Sequence, residues 1–309
     1  MNEVIIEKVK NIIDEARIKI NEPMCNHTTF KVGGVADLFV SVSSEKEITA
    51  LIRLLKDEAV PYFIVGNGSN LLVSDEGYRG CVICVGKDFS GIEVTNGEDA
   101  GEECEIKVLA GTLLIKTANF ALEKSLTGLE FASGIPGNVG GAIFMNAGAY
   151  GGEMKQVVTS VRLYDIENGE IVEKTCEEMD FSYRHSILKE HPYVVISTTL
   201  KLIKGDAVLI KERMDELAIA RKTKQPLEYP SAGSTFKRPE GYFAGKLIED
   251  AGLKGYSVGG AEVSIKHSGF VINKNAATAK DVLTLIDDVI TIVKDKFDVT
   301  LEPEVLILK

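Results

Sequence analysis

One serine, Ser234, stands between a glycine-containing turn and a basic pair in the stretch YPSAGSTFKRP, residues 229–239. A serine presented on a turn is a candidate hydrolytic nucleophile, but that role requires a positioned base and an oxyanion hole. The surrounding AGSTF also lacks the G-x-S-x-G pattern of the α/β-hydrolase nucleophile elbow. The local sequence therefore disfavours hydrolysis and leaves the role of Ser234 open.

Two glycine-rich segments are candidates for contact with a phosphate or a planar ligand. In GNGSN (66–70) the glycines would let backbone N–H groups approach an anion, while Asn67, Ser69 and Asn70 add hydrogen bonds. A tight turn explains this loop equally well, because the G-x-G-x-x-G pattern is incomplete. The segment FASGIPGNVGGAIFMNAGAYGG (131–152) contains seven glycines among apolar residues. It suits backbone packed flat against a large ligand, with a close-packed sheet corner as the alternative.

Motifs for ATP hydrolysis and metal binding are absent from the sequence. It contains no G-x-x-x-x-G-K-[ST], no H-E-x-x-H and no paired C-x-x-C, and its four histidines are dispersed. The single C-x-x-C, Cys81 and Cys84, lies in a β-branched run, where residues three apart point to opposite faces of a strand. We therefore expect core packing of these cysteines and no metal site.

The amino-acid composition argues against two classes of protein, membrane-spanning and general nucleic-acid-binding. The 309 residues are 45% hydrophobic and 26% charged, and no apolar run approaches the roughly 20 residues that cross a bilayer. A net charge of −11 argues against a general nucleic-acid surface, which needs a basic stripe. The basic segments ARKTKQP (220–226) and FKRP (236–239) flank Ser234. They are either an anion-binding pair or two solvated patches.

Cysteine usage and the N-terminal segment indicate the compartment. The five cysteines are odd in number and scattered, which is untypical of a disulfide framework. The first 20 residues, MNEVIIEKVKNIIDEARIKI, predict an amphipathic helix and lack the apolar core of a signal peptide. We therefore expect a cytoplasmic protein.

Short strands and helices follow along the rest of the chain. ADLFVSV (36–42), SEKEITALIRLLKDE (44–58, capped near Ser44) and PYFIV (61–65) predict a strand, a helix and a strand. Other predicted helices cover 112–125, 206–224, 243–252 and 278–297, and predicted strands include 157–165, 169–175 and 193–203 around a hairpin turn at Asn168-Gly169. This mixture indicates an α+β fold with three lobes and a domain boundary near Gly205.

Six motifs together carry a family resemblance: NHTTFKVGG, GNGSNLLV, GLEFASGIPGNVGGAIFMNAGAYG, FSYRHS, AGSTFKRP and LEPEV. In order and approximate spacing the chain resembles the UDP-N-acetylenolpyruvoylglucosamine reductases, flavoenzymes of peptidoglycan precursor synthesis, over nearly its whole length. The resemblance implies a two-lobed PCMH-type FAD-binding region and a C-terminal α+β substrate-binding domain. The expected divisions are lobe 1 at residues 1–70 joined by the strand 303–309, lobe 2 at 71–205, and the substrate-binding domain at 206–302.

The resemblance also implies roles for particular residues. The three catalytic positions correspond to Arg184, Ser234 and Glu304. The expected FAD-binding residues are Gly66, Asn67, Gly68, Ser69, Asn70, Ser133, Gly134, Ile135, Pro136, Gly137, Asn138, Gly140, Gly141 and Asn146. The expected substrate-binding residues are Tyr183, Arg221, Lys224, Lys237 and Arg238. The chain resembles the shorter type of the family, because little room lies between Ser186 and the strand at 193 for the substrate-capping segment of the longer type.

The implied reaction is reduction of an enolpyruvyl ether, in which NADPH passes a hydride to FAD and the flavin passes it to the methylene carbon. Arg184 would stabilise charge on the substrate carboxylate with a bidentate fork, and Ser234 would donate a proton to the adjacent carbon. Glu304 would either donate a hydrogen bond when protonated or orient Arg184 when ionised. The expected partners are a UDP-sugar and NADPH, with no nucleic acid, membrane or obligatory protein partner.

Two other functions compete with this interpretation. One is a PCMH-type FAD-dependent oxidase of a small alcohol or hydroxy acid, which would leave the combination of Arg184, Ser234 and Glu304 unexplained. The other is a nucleotide-binding module without turnover, which would bind flavin or nucleotide but transfer no electrons.

Overall fold

The computed structural model describes residues 1–95 and 102–309. These residues divide into two compact units. The first consists of residues 1–19, 39–67 and 80–220, and the second of residues 20–38, 68–79 and 221–309. The division into lobes 1–70 and 71–205 and a substrate-binding domain 206–302 stays a prediction.

The N-terminal helix is shorter than predicted. Helix α1 covers Glu3–Lys10, and the predicted continuation to residue 20 is wrong. After the helix, Asp14 accepts a hydrogen bond from the N–H of Ala16 at 2.9 Å and begins a 3₁₀ turn, and strand β1 (Ile18–Pro23) follows. Aspartate competes with helix geometry by bonding nearby backbone groups in this way, which explains the early end.

The first unit contains a mostly antiparallel β-structure with helices. Its elements are α2 (Glu45–Asp57), β3 (Tyr62–Val65), β6 (Ile92–Val94), β7 (Glu103–Leu109), α3 (Leu114–Glu123), β8 (Leu126–Thr127), α4 (Val139–Met145), β9 (Gly148–Ala149), β10 (Gly152–Glu153), β11 (Val158–Asp165), β12 (Glu170–Thr175) and β13 (Tyr193–Lys204). A six-stranded sheet has the order β12-β11-β13-β7-β6, and β8 also pairs with β13. The predicted hairpin is present, with Gly169 at φ 73° and Asp165 paired with Glu170.

Four elements contain residues of both units: β1, β2 (Val35–Ser41), β5 (Tyr78–Cys84) and α5 (Ala207–Lys224). Within the first unit, β3 and β5 pair in parallel, Tyr62–Val65 against Cys81–Cys84. Ser44 caps α2 as predicted, since its side chain accepts a hydrogen bond from Glu47 N. Cys81 is fully buried in β5, and burial raises the pKa of its thiol to about 12.

The second unit packs short strands and a helix against one long helix. Its elements are β4 (Leu71–Val73), α6 (Ala244–Asp250), β14 (Ser257–Val258), β15 (Ala261–Val263), β16 (Val271–Asn273), α7 (Ala279–Phe297) and β17 (Leu306–Leu308). Strands β14, β15 and β16 form an antiparallel sheet, and β17 pairs in parallel with β4. Helix α7 buries its apolar face, Val282, Leu285, Ile286, Val289 and Val293, in the core of this unit.

The start of α7 is fixed from two sides. Thr278 caps the helix with its hydroxyl, which accepts from the N–H of Asp281 at 3.1 Å. The carboxylate of Asp75 accepts from the N–H groups of Ala279 and Lys280 at 2.8 and 2.9 Å. A carboxylate at a helix N-terminus satisfies unpaired N–H groups and favours the helix dipole. The segment that follows GNGSN is thereby held against α7.

Candidate active site

The beginning of the GNGSN loop packs against the second glycine-rich loop. A Cβ placed on Gly66 would lie 3.4 Å from Cγ of Asn138, so backbone and carboxamide are in contact there. Asn138 is 3% exposed, and its Nδ2 donates to the carbonyls of Val85 and Gly111 at 3.1 and 2.8 Å. Its Oδ1 is buried and has no hydrogen-bond partner within the described part of the chain. A buried amide acceptor left unpaired is costly, and it indicates a missing donor.

The second glycine-rich loop contains helix α4, which sequence reasoning did not predict. The N–H of Gly140 donates to Ala110 O at 2.8 Å, and a Cβ on Gly140 would lie 3.1 Å from the Cβ of Ala110. Close packing against Ala110 therefore leaves little room for a side chain at Gly140. Gly141, the next residue, is exposed, and a Cβ on it would meet nothing within 4 Å. A glycine inside a helix costs about 1 kcal/mol relative to alanine, so the protein alone gives no reason for Gly141.

Of the other predicted residues of this loop, Asn146 is fully buried, and the following are at least partly accessible to a ligand. Ser133, Gly134, Ile135 and Gly137 are half-buried and Pro136 is exposed. The Ser133 hydroxyl donates to Glu130 O at 2.8 Å, which holds the short 3₁₀ turn 130–134. These exposed backbone positions, the open face at Gly141 and the unpaired Oδ1 of Asn138 fit a large ligand such as FAD.

The rest of the GNGSN loop belongs to the second unit and is held by the segment NHTT. Gly68 has φ 59°, and a Cβ on it would lie 2.0 Å from the carbonyl oxygen of His27, so only glycine fits. Thr29 donates its N–H to Gly68 O at 3.1 Å and its hydroxyl to Ser231 O at 2.7 Å. Thr29 thereby ties the GNGSN loop to the serine loop. Sequence reasoning missed this residue, although the motif NHTTFKVGG contained it.

Arg184 lies on a two-residue turn in the first unit. Ser182 and His185 pair across the turn through two backbone hydrogen bonds of 3.3 and 3.1 Å. Arg184 has φ 55°, a left-handed conformation that costs an L-residue of this type about 1–2 kcal/mol. Its guanidinium lies over the ring of Tyr183, 5.0 Å from the centroid, and Nη2 donates to Gly148 O at 3.4 Å. Strain of this kind is typical of functional residues.

His185 adjoins Arg184 and carries its own ion pair. Its Nε2 lies 2.8 Å from Oε1 of Glu190. The side-chain hydrogen bond to Glu190, followed by the backbone hydrogen bond to Asp180, raises the pKa of His185. A second positive charge therefore accumulates beside Arg184 as pH falls.

The serine loop presents Ser234 and buries its neighbours. Gly233 has φ 78°, and Ser234 is exposed. Thr235 is buried, donates its N–H to Gly269 O at 2.9 Å and accepts from Val271 N through its hydroxyl at 2.9 Å. Within the described residues of the second unit, no histidine or carboxylate accepts a hydrogen bond from the Ser234 hydroxyl. The nucleophile interpretation therefore gains no support.

Glu304 lies next to the serine loop. Phe236 and Pro303 form an antiparallel bridge, and the N–H of Glu304 donates to Thr235 O at 2.8 Å. The carbonyl of Glu304 accepts from Nδ2 of Asn70 at 3.0 Å. Phe236 is 4% exposed and anchors this pairing in the core of the second unit. The structure thus brings together two predicted catalytic residues and one predicted FAD-binding residue.

The predicted substrate-binding cations differ in their surroundings. Lys237 pairs with Glu302 at 3.0 Å, which offsets its charge, and Arg238 stacks on Phe243 with 4.0 Å to the ring centroid. Arg221 and Lys224 lie three positions apart in the last turn of α5 and share a face of that helix. All four stay predicted contacts of an anion.

The described residues contain neither a metal-binding cluster nor a membrane-spanning helix. In 1–95 and 102–309, no group of three or more histidine, cysteine, aspartate or glutamate side chains could hold a metal ion. Over the same ranges, the length and hydropathy needed to span a membrane are not combined in any helix.

The chain is similar to known reductases over its whole length. It is 55% identical to the UDP-N-acetylenolpyruvoylglucosamine reductase of Clostridium novyi, over 98% of this chain and 96% of that protein. It is 52% identical to the same enzyme of Caldanaerobacter subterraneus, over 100% and 99%. The crystal structure of UDP-N-acetylenolpyruvylglucosamine reductase from Thermus caldophilus superposes with a TM-score of 0.77 at 35% identity, covering 94% of this chain and 100% of that one.

Two domain families match separate parts of the chain. Residues 36–175 match the family described as FAD binding domain. Residues 225–308 match the family described as UDP-N-acetylenolpyruvoylglucosamine reductase, C-terminal domain. These matches and the Thermus structure confirm the predicted α+β fold with an FAD-binding region and a C-terminal domain. The chain therefore belongs to the UDP-N-acetylenolpyruvoylglucosamine reductase family and is an FAD-containing oxidoreductase.

Proposed function

We propose that this protein reduces UDP-N-acetylglucosamine enolpyruvate to UDP-N-acetylmuramate in peptidoglycan precursor synthesis, with NADPH as the reductant. A hydride adds to the methylene carbon of the C=C bond and a proton adds to the neighbouring carbon, while NADPH becomes NADP⁺. The observation that supports this reaction most directly is the backbone pairing of the serine loop with the segment 302–304, in which the residue after Ser234 bonds to Glu304.

FAD would be held by the two glycine-rich loops. The residues in question are Gly66, Asn67, Gly68, Ser69 and Asn70 in the first loop and Ser133–Gly141 in the second. When bound, FAD would serve as the hydride carrier between NADPH and the substrate. The open face at Gly141 and the unpaired acceptor of Asn138 support contact with the second loop.

Ser234 is proposed to protonate carbon. Hydride addition leaves negative charge that is shared between the adjacent carbon and its carboxylate, and this carbon must take up a proton. The Ser234 hydroxyl is exposed on a loop whose next residue, Thr235, is fixed by three backbone hydrogen-bonding partners. A weak acid can act here because the enolate is strongly basic, provided that the donor is held in place.

Arg184 and Glu304 are proposed to control charge around this step. A guanidinium can offer two parallel N–H groups to the substrate carboxylate, whose charge grows in the transition state. Glu304 is half-buried and has both of its backbone groups bonded, so its main chain is held in place. It acts either as a hydrogen-bond donor to the developing charge or as the partner that orients a cation.

The remaining parts of the proposal concern the residues that bind the substrate and the location of the protein in the cell. Arg221, Lys224 and Arg238 are proposed to meet the pyrophosphate, with Tyr183 on the sugar or enolpyruvyl part. Lys237, which also pairs with Glu302, is proposed to act with them. We also propose that the chain is divided into three lobes and that the protein is located in the cytoplasm.

The reaction is tested with purified protein under anaerobic conditions. NADPH is expected to bleach the flavin absorbance, and the enolpyruvyl UDP-sugar is expected to restore it with formation of UDP-N-acetylmuramate. Reoxidation by oxygen alone would favour an oxidase. Bound flavin that NADPH does not bleach would favour a binding module without turnover.

A further inference from the structure

The turn that carries Arg184 is attached to the segment directly after α4. The Ser186 hydroxyl donates to Phe144 O at 2.8 Å on one side of the turn. Nδ2 of Asn146 donates to Ser182 O at 3.0 Å on the other side, and Nη2 of Arg184 donates to Gly148 O at 3.4 Å. The residues 144–148 therefore hold the strained turn at both of its ends.

Among these three contacts, the hydrogen bond from Asn146 is the one donated by a fully buried carboxamide. It is 0% exposed and has φ 42°. Nδ2 also donates to Oε2 of Glu153 at 3.1 Å, and Oδ1 accepts from Lys155 N at 2.9 Å. Both amide protons and the carbonyl oxygen are thus bonded to the protein. Asparagine suits this position, because it tolerates left-handed backbone and offers a donor and an acceptor.

We propose that Asn146 is a positioning residue for Arg184, and that it acts through the carbonyl of Ser182. Its amide connects helix α4 of the glycine-rich loop with the turn that presents the guanidinium. Without this hydrogen bond, the turn can relax from the left-handed conformation at Arg184, and the guanidinium moves away from the substrate carboxylate. The proposal rests on the proposed function, in which Arg184 stabilises charge on that carboxylate.

The test uses the holoenzyme and separates the two half-reactions. Asn146→Gly keeps a residue that adopts φ 42° and removes the amide. We expect reoxidation of reduced enzyme by the enolpyruvyl UDP-sugar to slow by about 10- to 100-fold. Flavin content and flavin reduction by NADPH are expected to stay within about twofold of wild type, because neither uses Arg184. Asn168→Ala, which removes an amide from the hairpin turn, is the matched control and is expected to change neither half-reaction.

A double-mutant cycle shows whether Asn146 acts through Arg184. On an Arg184→Ala background, Asn146→Gly is expected to cause no further loss, because the positioned group is already absent. An additional loss equal to that in wild type would overturn the proposal, and so would loss of flavin or of its reduction in Asn146→Gly. If Asn146→Gly does not fold, Asn146→Ser replaces it, since it removes the carboxamide that donates to Ser182 O and buries no charge beside Glu153.

The control reactions separate failure of the proposed function from failure of the role proposed for Asn146. Failure of the wild-type enzyme to be reoxidised by the UDP-sugar contradicts the proposed function, and this inference falls with it. Normal reoxidation of wild type together with unchanged reoxidation of Asn146→Gly contradicts the inference alone.

Discussion

The N–H of Glu304 donates a 2.8 Å hydrogen bond to the carbonyl of Thr235, so Glu304 is paired with the residue directly after Ser234. The Phe236–Pro303 bridge continues this pairing by one residue. A shift of register by one residue would turn the Glu304 side chain to the opposite face. Buried Phe236 opposes such a shift, because it would leave the core of the second unit.

Replacement of Ser234 by alanine should slow only the protonation step. We expect reoxidation of the reduced enzyme by the UDP-sugar to fall by about 10²- to 10⁴-fold, the range for loss of a general acid. Flavin reduction by NADPH should remain near normal. Stopped-flow absorbance of the flavin measures both rates, with Ser257→Ala as an exposed control. Equal collapse of both half-reactions would show that Ser234 has another role.

Replacement of Gly141 by alanine should stabilise the FAD-free protein and weaken its affinity for FAD. In FAD-free protein we expect stabilisation by about 0.5–1 kcal/mol, because alanine favours the helix and meets no neighbour within 4 Å. FAD affinity should fall about tenfold, since the new methyl group occupies space that the ligand needs. Urea unfolding and fluorescence titration with FAD measure the two quantities.

Gly140→Ala is the matched control for this prediction. Its Cβ would lie 3.1 Å from the Cβ of Ala110, so we expect lower stability with and without FAD. If Gly141→Ala leaves FAD affinity unchanged, the flavin does not lie against this face of α4.

Thr29→Val should loosen the link between the two loops of the second unit. Valine keeps the branched shape and loses the 2.7 Å hydrogen bond to Ser231 O. We expect a loss of about 0.5–1.5 kcal/mol in unfolding free energy, together with slower reoxidation by the UDP-sugar. Thr49→Val removes an exposed threonine hydroxyl on α2 and serves as control. An unchanged rate of reoxidation would limit Thr29 to a role in stability.

The pair of Arg17 and Glu47 should make stability depend on pH. Arg17 contacts both carboxylate oxygens of Glu47 at 2.6 and 2.7 Å, and this side-chain hydrogen bond is the main cause of the lowered pKa of Glu47. A lowered folded-state pKa gives stability that is present above the unfolded value near 4.3 and is lost as pH falls through the folded value. Glu47→Gln should cost about 1–3 kcal/mol at pH 7, and the difference should shrink below pH 4. Urea unfolding from pH 7 to pH 3 checks this, and a constant difference would contradict it.

Helix caps and the hairpin could be predicted from the sequence, because they depend on residues that are neighbours in the chain. Ser44 and Thr278 cap their helices as their types suggest, and the strands around the Asn168-Gly169 turn lie where β-branched runs stand. Helix α4 was not predicted, because two adjacent glycines lower helix propensity below what a local pattern can indicate. The first helix was predicted too long, since the competing role of Asp14 is visible only in its hydrogen bond.

The candidate site depended on partners that are distant in the sequence. Arg184, Ser234 and Glu304 were predicted from a family resemblance, and no spacing rule would have connected them. The contacts of Asn70 with Glu304 and of Asn146 with Ser182 span 234 and 36 positions. Both asparagines were expected to bind FAD, and only their surroundings reveal bonds to the backbone of the candidate catalytic segments.

The parallel pairing of β17 with β4 also sets an order of events in the cell. Asn70 bonds to Glu304, and β4, the strand after Asn70, pairs with β17. Both contacts can form only after a segment 234 positions later has been translated. At about 5–20 residues per second, this interval lasts roughly 10 to 50 seconds. Until then the GNGSN loop lacks the strand beside it, so this pairing is a late step in the folding of the chain.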